Sequence, residues 1–462
     1  MFKKGTELDL VIEKTVFGGD GLCRHEGVVV FVPGGLPGDT VRASIVKVKR
    51  NFLVARAIEV LSPGPFRVPS RCVHSLHCGG CVWQELSYEG QLMEKRRHVE
   101  EALTTLAGLP EASVPPVLPS PRIYGYRNKM EFSCADKRWL PPDELESPRG
   151  PVDFALGLHV PGTFSKVMDI SSCALLPEPG NRILELGGRL MRASGLPAWG
   201  LRSHTGFWRF LVVRRSEAEG NYLVNLVTAT DRHGDVLPLA RRIAAEVPEV
   251  SAVVNNVTAK KSGVAVGEVE FPLVGEPRLH DALGGLRFTV SSNSFFQTNS
   301  LQAENLYRTV EELAHLTGRE TVLDLYCGTG TIALWLARNA GHVTGIELSE
   351  DAIRDAEKNR RENGVENVHF LAGDTLKTLP DLSLRPDLVV ADPPRSGMHP
   401  KVLEMLCALA PPAIVYVSCN PATMARDLAL MAEHYALTQV VPVDMFPHTL
   451  HIECVARLER KG

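Results

Sequence analysis

The length, composition and charge of this chain exclude several classes of protein. With 462 residues, 44% hydrophobic and 23% charged, the chain is too long for one ordinary core and suggests about three domains. Its 39 glycines and 32 prolines are ordinary globular proportions, which exclude wholesale disorder, collagen-like repeats and coiled-coil rods. The net charge of −4 argues against a protein coated in nucleic acid but permits a local basic groove.

The sequence shows neither a membrane-spanning run nor the apolar stretch of a signal peptide. We therefore expect a cytoplasmic protein without a membrane partner. We also expect a monomer.

Residues 1–62 are predicted to form a small β-barrel similar to an OB fold. Short alternating runs at 7–12 and 27–32 are separated by glycine turns. The last two strands carry basic side chains, namely Arg42, Lys47, Lys49, Arg50 and Arg56. A barrel with one basic side is a common platform for nucleic acid, although charges on an edge strand also prevent aggregation. Both interpretations remain open at this point.

Residues 63–280 are predicted to be rich in short strands, with helices near 87–109, 178–194 and 236–246. This region also holds a cysteine group. Cys72, Cys78 and Cys81 follow a C-x5-C-x2-C pattern, and Cys173 is the best distant fourth ligand. Closely spaced thiols separated by glycines are typical of zinc or iron–sulfur sites. The remaining cysteines besides Cys419 are expected to be ordinary thiols: Cys23, Cys134, Cys327, Cys407 and Cys454.

From residue 281 to 462, strands alternate with helices, which predicts a mostly parallel sheet covered on both faces. A glycine turn, Gly328-Thr329-Gly330, lies between the strand ending at Leu325 and a helix starting at Thr331. Glycines allow a close approach of the backbone to a ligand, and the helix start offers free N–H groups.

Two acidic residues strengthen this nucleotide-like site. Glu347 ends the second strand, where a carboxylate can hold ribose hydroxyls, and Asp374 follows the third, where an adenine amino group would lie. Because a phosphate-binding lysine motif and the third glycine of the dinucleotide fingerprint are missing, S-adenosylmethionine is favoured over ATP or NAD. A plain glycine turn with surface acids is the alternative.

Two further segments follow the fourth and fifth strands and therefore reach the same rim. They are Asp392-Pro393-Pro394-Arg395 and Ser418-Cys419-Asn420-Pro421. Cys419 is a candidate nucleophile, because a helix start lowers the pKa of a thiol below its usual value of about 8.5. The alternative is a buried structural thiol.

Residues 451–455 are predicted to form a late strand, which would put His451 and Glu453 on one face. Near a cysteine and a methyl donor, Glu453 is a candidate general base. Taken alone, it would be a solvated strand residue.

Together these motifs make the chain resemble the RNA 5-methyluridine methyltransferase family, in the branch with a TRAM domain and an iron–sulfur cluster. The resemblance extends to bacterial members that methylate one uridine of 23S rRNA. Other segments that carry it are 126–130, 156–159, 169–173, 296–299 and 448–453. It implies an α/β fold: a Rossmann-like S-adenosylmethionine methyltransferase domain preceded by a TRAM barrel and a β-rich central domain.

The resemblance also implies roles for individual residues. It places a 4Fe-4S cluster on the four cysteines Cys72, Cys78, Cys81 and Cys173. It assigns the S-adenosylmethionine site to Gln297, Tyr326, Thr331, Glu347, Asp374 and Asp392. Cys419 would attack carbon-6 of the uracil and Glu453 would remove the carbon-5 proton. Thr331 stands where some members have Asn, which leaves its own contact open. Residues 87–118 would pack on the catalytic domain.

RNA is the expected partner, with 23S rRNA first and transfer RNA second. Arg395 and the stretch 202–215, with Phe207 and Trp208, are candidates for RNA contact, although that stretch fits a half-buried strand equally well. A cytosine-5 methyltransferase is disfavoured because the motif at Asp392 lacks a cysteine. A non-catalytic RNA-binding protein is disfavoured because Cys419, Glu453 and Glu347 are all present.

Overall fold

Three large sheets and one short hairpin organise residues 2–462, the part of the chain that the computed structural model describes. Each sheet has its own hydrophobic core. Among the described residues, no helix is long and apolar enough to cross a membrane.

The amino-terminal sheet has six strands. They are β1 (Glu7–Val11), β2 (Lys14–Thr15), β3 (Gly21–His25), β4 (Val28–Val32), β5 (Thr40–Val48) and β6 (Phe52–Ser62). Their order is β1-β5-β6-β4-β3-β2. In β5, Val41, Ala43 and Ile45 alternate into the core, as the period of a half-buried strand requires. The basic residues at 47–50 and 56 are exposed.

The central sheet also has an order that does not follow the chain, β13-β12-β11-β10-β7-β8-β9. Helices α2 and α3 cover one of its faces. The elements of this region are α1 (Tyr88–Thr105), β7 (Lys129–Ala135), β8 (Ala155–His159), β9 (Val167–Asp169), α2 (Glu178–Ala193), β10 (Trp208–Arg215), β11 (Tyr222–Thr228), α3 (His233–Glu246), β12 (Val250–Val257) and β13 (Val269–Val274).

The stretch 202–215, considered above for RNA contact, is mostly a core strand. Its strand β10 lies between β11 and β7, and Phe207 and Trp208 are buried. These two aromatic residues are therefore core residues, more deeply buried than the half-buried strand that was predicted, and they are not available for RNA contact.

The carboxyl-terminal region starts with the hairpin β14–β15 and continues into alternating strands and helices. Its elements are β14 (Arg278–Leu283), β15 (Leu286–Ser291), α4 (Ser300–Ala314), β16 (Thr321–Leu325), α5 (Thr331–Leu336), β17 (His342–Glu347), α6 (Glu350–Glu362), β18 (Val368–Ala372), α7 (Thr375–Asp381), β19 (Leu388–Ala391), α8 (Pro400–Leu409), β20 (Ala413–Ser418), α9 (Pro421–Met431), β21 (Tyr435–Val443) and β22 (Glu453–Arg460).

The sheet of this region has the order β18-β17-β16-β19-β20-β22-β21. The first five strands are parallel, and β22 runs antiparallel to both β20 and β21. The strand order reverses between β16 and β19, and the carboxyl ends of parallel strands at such a point form a crevice for ligands.

Helix α1 packs on this last sheet, although the central sheet follows it in the chain. Its residues Val99, Ala102 and Leu103 share one core with Met424 and Leu428 of α9. Ser87 begins the helix by accepting a hydrogen bond from Gly90 N. As a result, α1 lies against the carboxyl-terminal sheet and is fixed to it by apolar contacts.

The late strand starts two residues later than predicted, at Glu453 instead of His451. The connection 444–452 turns at His448, whose φ is +67°, and the Thr449 hydroxyl accepts a hydrogen bond from His451 N. These contacts keep His451 out of the ladder, so it does not share a strand face with Glu453.

Candidate active site

The predicted site residues of the last sheet lie along one edge. Tyr326, Asp374, Asp392 and Cys419 each follow the carboxyl end of a strand or lie within two residues of it, and Glu347 is the last residue of β17. Since the five strands are parallel, all five side chains reach the same rim. The sequence analysis expected this arrangement from the alternating pattern alone.

Glu347 organises the glycine turn. Its carboxylate accepts hydrogen bonds from Gly328 N (3.2 Å) and Ser349 N (2.9 Å). At Gly330, φ is +78° and an added Cβ would lie 2.5 Å from the Phe370 ring, so only glycine fits there. The turn is therefore held closely against the carboxylate that would meet a ligand.

Tyr326 and Asp374 form the second part of the site. Tyr326 has φ of +63°, which is uncommon for a residue with a side chain and marks a position that the surroundings enforce. Burial and the nearby Asp374 charge raise the pKa of the Tyr326 phenol. Asp374 begins α7 by accepting a hydrogen bond from Leu376 N at 3.0 Å.

Tyr307 connects two of the predicted residues, and the sequence analysis missed it. Its hydroxyl donates to Thr331 Oγ1 at 3.1 Å and also contacts the Gln297 side chain. Burial and the nearby Asp392 and Asp324 charges raise the pKa of this phenol. Tyr307 lies within an amphipathic helix, where an aromatic residue usually belongs to the core, so the sequence carries no signal for it.

The segment that carries Gln297 is fixed by Asn128, which belongs to one of the motifs quoted above. The Asn128 amide donates to Gln297 O at 2.8 Å, and Asn128 N donates to Thr298 O at the same distance. A motif of the central region thus positions a residue of the donor site.

Cys419 and Glu453 lie opposite one another. Strand β20 pairs with β22 so that Ser418 faces Cys454, and this register brings the next residue, Cys419, opposite Glu453. Asp392 and Arg395 are close enough for their charges to act on both groups. The thiol, two carboxyl groups and a guanidinium therefore meet at one point of the rim.

The expected lowering of the Cys419 pKa is wrong for the free protein. Burial, together with the Glu453 and Asp392 carboxylates, raises the pKa of this thiol to about 11, and Arg395 opposes the shift. Burial and Asp392 also raise the pKa of Glu453 well above its usual range. Desolvation and like charges outweigh the helix start at Cys419, so this thiol holds its proton near neutral pH.

His451 lies beside Arg395 on this rim. The Arg395 guanidinium donates to His451 Nδ1 at 2.7 Å. Burial and the Arg395 charge lower the pKa of His451 to about 4, so the ring is neutral and accepts this hydrogen bond. Arg395 itself is exposed and free to meet a polyanion.

The four predicted cluster cysteines line one cavity. Cys72, Cys78, Cys81 and Cys173 line a cavity of about 500 Å³, and Gln297 is also part of its lining. Burial raises the pKa of Cys78 to about 11 and of Cys81 to about 12, and mutual repulsion among the four sulfurs adds to both shifts. The structure thus brings together thiols from distant parts of the chain.

The donor set of this cavity fits a group that takes four thiolates. Gly80 N donates to Cys78 Sγ at 3.4 Å and Gln84 Nε2 to Cys81 Sγ at 3.5 Å, contacts that favour charged sulfur. Among residues 2–462, however, no three His, Cys, Asp or Glu side chains are grouped closely enough to hold a single metal ion.

A further acidic side chain, Asp324, lies close to the predicted donor-site residues Glu347 and Asp392. Asp324 is fully buried, and neither of its carboxylate oxygens has a hydrogen-bond partner among the described residues. Burial, with Asp392 and Glu347 nearby, raises the pKa of Asp324 well above its usual range.

Two family models match the chain. The model described as tRNA (uracil-5-)-methyltransferase matches residues 283–461, and a TRAM domain model matches residues 2–58. A relative named as an uncharacterized RNA methyltransferase of Chlorobaculum tepidum is 44% identical over 445 residues, which cover 94% of this chain and 92% of the relative. A similarly named protein of Nitratidesulfovibrio vulgaris is 39% identical over 470 residues, covering 100% and 97%.

A solved structure agrees with these matches. It is the crystal structure of Pyrococcus abyssi tRNA (uracil-54, C5)-methyltransferase in complex with S-adenosyl-L-homocysteine. The two chains are 29% identical with a TM-score of 0.75, and the match covers 98% of this chain and 100% of the other. From these matches, the chain belongs to the tRNA (uracil-5-)-methyltransferase family, with an amino-terminal TRAM domain, and is an S-adenosylmethionine-dependent RNA (uracil-C5) methyltransferase.

Proposed function

We propose that this enzyme methylates carbon-5 of one uridine in 23S rRNA through a covalent bond between Cys419 and carbon-6 of the uracil. The observation that carries the proposal is the position of Cys419 opposite Glu453, beside Asp392 and Arg395. A thiol and a carboxyl group at one place can supply the nucleophile and the base that this reaction needs.

The chemistry explains these residue types. Carbon-5 of uracil is too weak a nucleophile to accept a methyl group from a sulfonium. The Cys419 thiol gives up its proton to solvent, and the resulting thiolate attacks carbon-6, which drives electron density onto carbon-5. S-adenosylmethionine, when bound, supplies the electrophilic methyl group. Glu453 then accepts the carbon-5 proton, the C5–C6 double bond forms again, and the bond from Sγ to carbon-6 breaks.

We propose that the residues around the glycine turn hold S-adenosylmethionine. In support, Glu347 accepts a hydrogen bond from the glycine turn, and Asp374 lies close enough to Tyr326 for its charge to act on that phenol. The full set is Gln297, Tyr326, Thr331, Glu347, Asp374 and Asp392. Thr331 contacts Tyr307 in the free protein, so its hydroxyl serves to fix that phenol.

We propose further that Cys72, Cys78, Cys81 and Cys173 hold a 4Fe-4S cluster. A single tetrahedral zinc ion would draw its sulfurs to within about 4 Å of each other, given Zn–S bonds of about 2.3 Å. A four-iron cluster holds its thiolates farther apart, around a larger space. In support, the four cysteines line one cavity although they come from distant parts of the chain.

The RNA must enter the rim with its target base splayed from the stack, because a uracil inside a helix is unreachable. We propose that Arg395 and the exposed basic residues of the TRAM domain, Lys47, Lys49, Arg50 and Arg56, contact the RNA. We propose that the chain is divided into three domains, residues 1–62, 63–280 and 281–462. Helix α1 would pack on the last of these domains.

The T-loop uridine of transfer RNA is the second candidate substrate. It is favoured by the likeness to the Pyrococcus abyssi enzyme, whose name specifies uracil-54 of tRNA. The TRAM domain and the proposed cluster favour ribosomal RNA.

Methyl transfer to matched transcripts separates the two substrates. Purified enzyme is given labelled S-adenosylmethionine with either 23S rRNA fragments or unmodified tRNA, and 5-methyluridine is mapped by mass spectrometry. We expect one modified uridine in 23S rRNA and none in tRNA, with Cys419→Ala as the inactive control. Methylation confined to the T-loop would replace the first substrate by the second.

A further inference from the structure

The connection 444–452 joins β21 to β22 and leads directly into Glu453. It contains His451, which contacts Arg395, and His448, whose backbone is in the left-handed region. Glu453 is the first residue of β22 after this connection and pairs with Val443 at the end of β21, so the connection acts together with the ladder on how the Glu453 carboxyl group enters the site.

A buried ion pair fixes its first turn. Lys95 Nζ of α1 lies 2.5 Å from Asp444 Oδ1, and both side chains are 0% exposed. The same ammonium donates to Phe446 O at 3.0 Å, while Phe446 N donates to Asp444 Oδ1. Lys95 therefore connects a side chain and a carbonyl of one turn, although the two partners are 349 positions apart in the sequence.

Gln91, one helical turn before Lys95, fixes the next part of the connection, at His448. Its side-chain oxygen accepts a hydrogen bond from His448 N at 2.7 Å, and its amide donates to His448 Nδ1 at 3.1 Å. The His448 ring also stacks on Tyr124. A residue with a side chain stays in the left-handed region only where its surroundings enforce it, and Gln91 supplies much of that enforcement.

A buried ion pair is a poor source of stability, because removing two charges from water offsets most of their attraction. Apolar or neutral partners of similar volume often serve the fold equally well. The pair instead restricts the conformation of the turn at 444–446, because an ammonium with two fixed acceptors permits few arrangements of that turn.

We propose that helix α1, through Lys95 and Gln91, is a positioning element that holds the connection 444–452 so that Glu453 meets the carbon-5 proton. The inference rests on the proposed roles of Cys419 and Glu453. Neither Lys95 nor Gln91 touches the reacting atoms. They act at the step in which the carbon-5 proton passes to Glu453 and the Cys419 thiolate leaves carbon-6.

The test replaces both charges together. In Lys95→Met/Asp444→Asn no buried charge is left alone, and the asparagine oxygen still accepts from Phe446 N. We expect turnover to fall at least tenfold and the covalent RNA adduct to accumulate on ordinary substrate. The KM values for RNA and S-adenosylmethionine and the thermal unfolding midpoint should stay close to those of the wild type.

The matched control is Arg138→Met/Glu144→Gln, which neutralises another mostly buried ion pair, in the central region. We expect its adduct to decay at the wild-type rate. If the Lys95→Met/Asp444→Asn protein does not fold, Gln91→Leu is measured instead and should also release its adduct slowly.

Wild-type adduct decay in a folded Lys95→Met/Asp444→Asn protein, or in Gln91→Leu if that replaces it, would overturn the inference. Failure of the proposed function has a different signature: wild-type enzyme would form no adduct with RNA containing 5-fluorouridine. That result would remove the basis of this inference as well.

Discussion

The enzyme contains two kinds of cysteine site, and their surroundings separate them. Cys419 is half-buried at the end of a parallel strand, where two carboxyl groups raise its pKa and a guanidinium opposes them. Cys72, Cys78, Cys81 and Cys173 converge on one cavity, where the charges that act on Cys78 and Cys81 are mainly those of other sulfurs. The surroundings of Cys419 can move a proton to and from one thiol. The surroundings of the other four cysteines favour a cationic group that is bound by all four sulfurs.

The largest expected effect is the complete loss of the cluster in Cys81→Ser. Wild-type protein purified without oxygen should be brown, with about four irons and four sulfides per chain. The variant should lose both and become less stable, because a thiolate-bound group joins distant segments. Cys407→Ser, at a half-buried cysteine outside both sites, is the control. Stoichiometric zinc without sulfide in the wild type would contradict the cluster.

Replacing the proposed base tests the other site. Glu453→Gln should slow turnover by about 10²- to 10⁴-fold, the usual contribution of a general base. Attack by Cys419 should persist, so RNA remains covalently attached and is seen as a shifted band on denaturing gels. Glu459→Gln, on the same strand but half-exposed, should behave as the wild type. Normal turnover in Glu453→Gln would make Glu453 an ordinary strand residue.

Replacing Glu347 should weaken the binding of the methyl donor without affecting Cys419 or the four cavity cysteines. Each charge-assisted hydrogen bond contributes about 1.5–3 kcal/mol, so Glu347→Ala should raise the Kd for S-adenosylmethionine roughly 10- to 150-fold. Titration calorimetry measures this change, and Glu350→Ala in the first turn of α6 is the exposed control. An unchanged Kd would show that β17 does not provide the ribose contact.

The last prediction is a pH dependence of activity, which follows from the raised pKa of the Cys419 thiol. A thiol with a raised pKa keeps its proton below about 11, and the raised pKa of Glu453 acts in the same direction. Activity should therefore rise with pH, and loss of the Cys419 proton alone should increase kcat/KM about tenfold per unit between pH 7 and 9. A profile that is flat across this range would mean that the thiolate is already formed in the free enzyme.

The parts of the site that could be predicted are those with a local signal. Glu347, Asp392 and Cys419 each end or follow a strand, and parallel strands place such residues on one edge without further information. Tyr307 and Lys95 could not be found in this way. Each lies inside a helix, and its role depends on a partner that the chain supplies elsewhere, Thr331 for one and Asp444 for the other.

The raised pKa of Cys419 could not be predicted from the sequence either. The helix start was visible there, but the opposing carboxyl group of Glu453 reaches the thiol only through the pairing of β20 with β22. The start of β22 was predicted two residues early for a related reason, since the turn at His448 depends on contacts with α1.

The central claim is that Cys419 forms the bond to the uracil, and one measurement tests it directly. RNA with 5-fluorouridine at the target position should trap the wild-type enzyme, because fluorine cannot leave carbon-5 as a proton. Digestion and mass spectrometry should find the nucleotide on the peptide containing Cys419, and Cys419→Ala should give no adduct while still binding S-adenosylmethionine. An adduct in Cys419→Ala, carried by Cys327 or any other cysteine, would contradict the account.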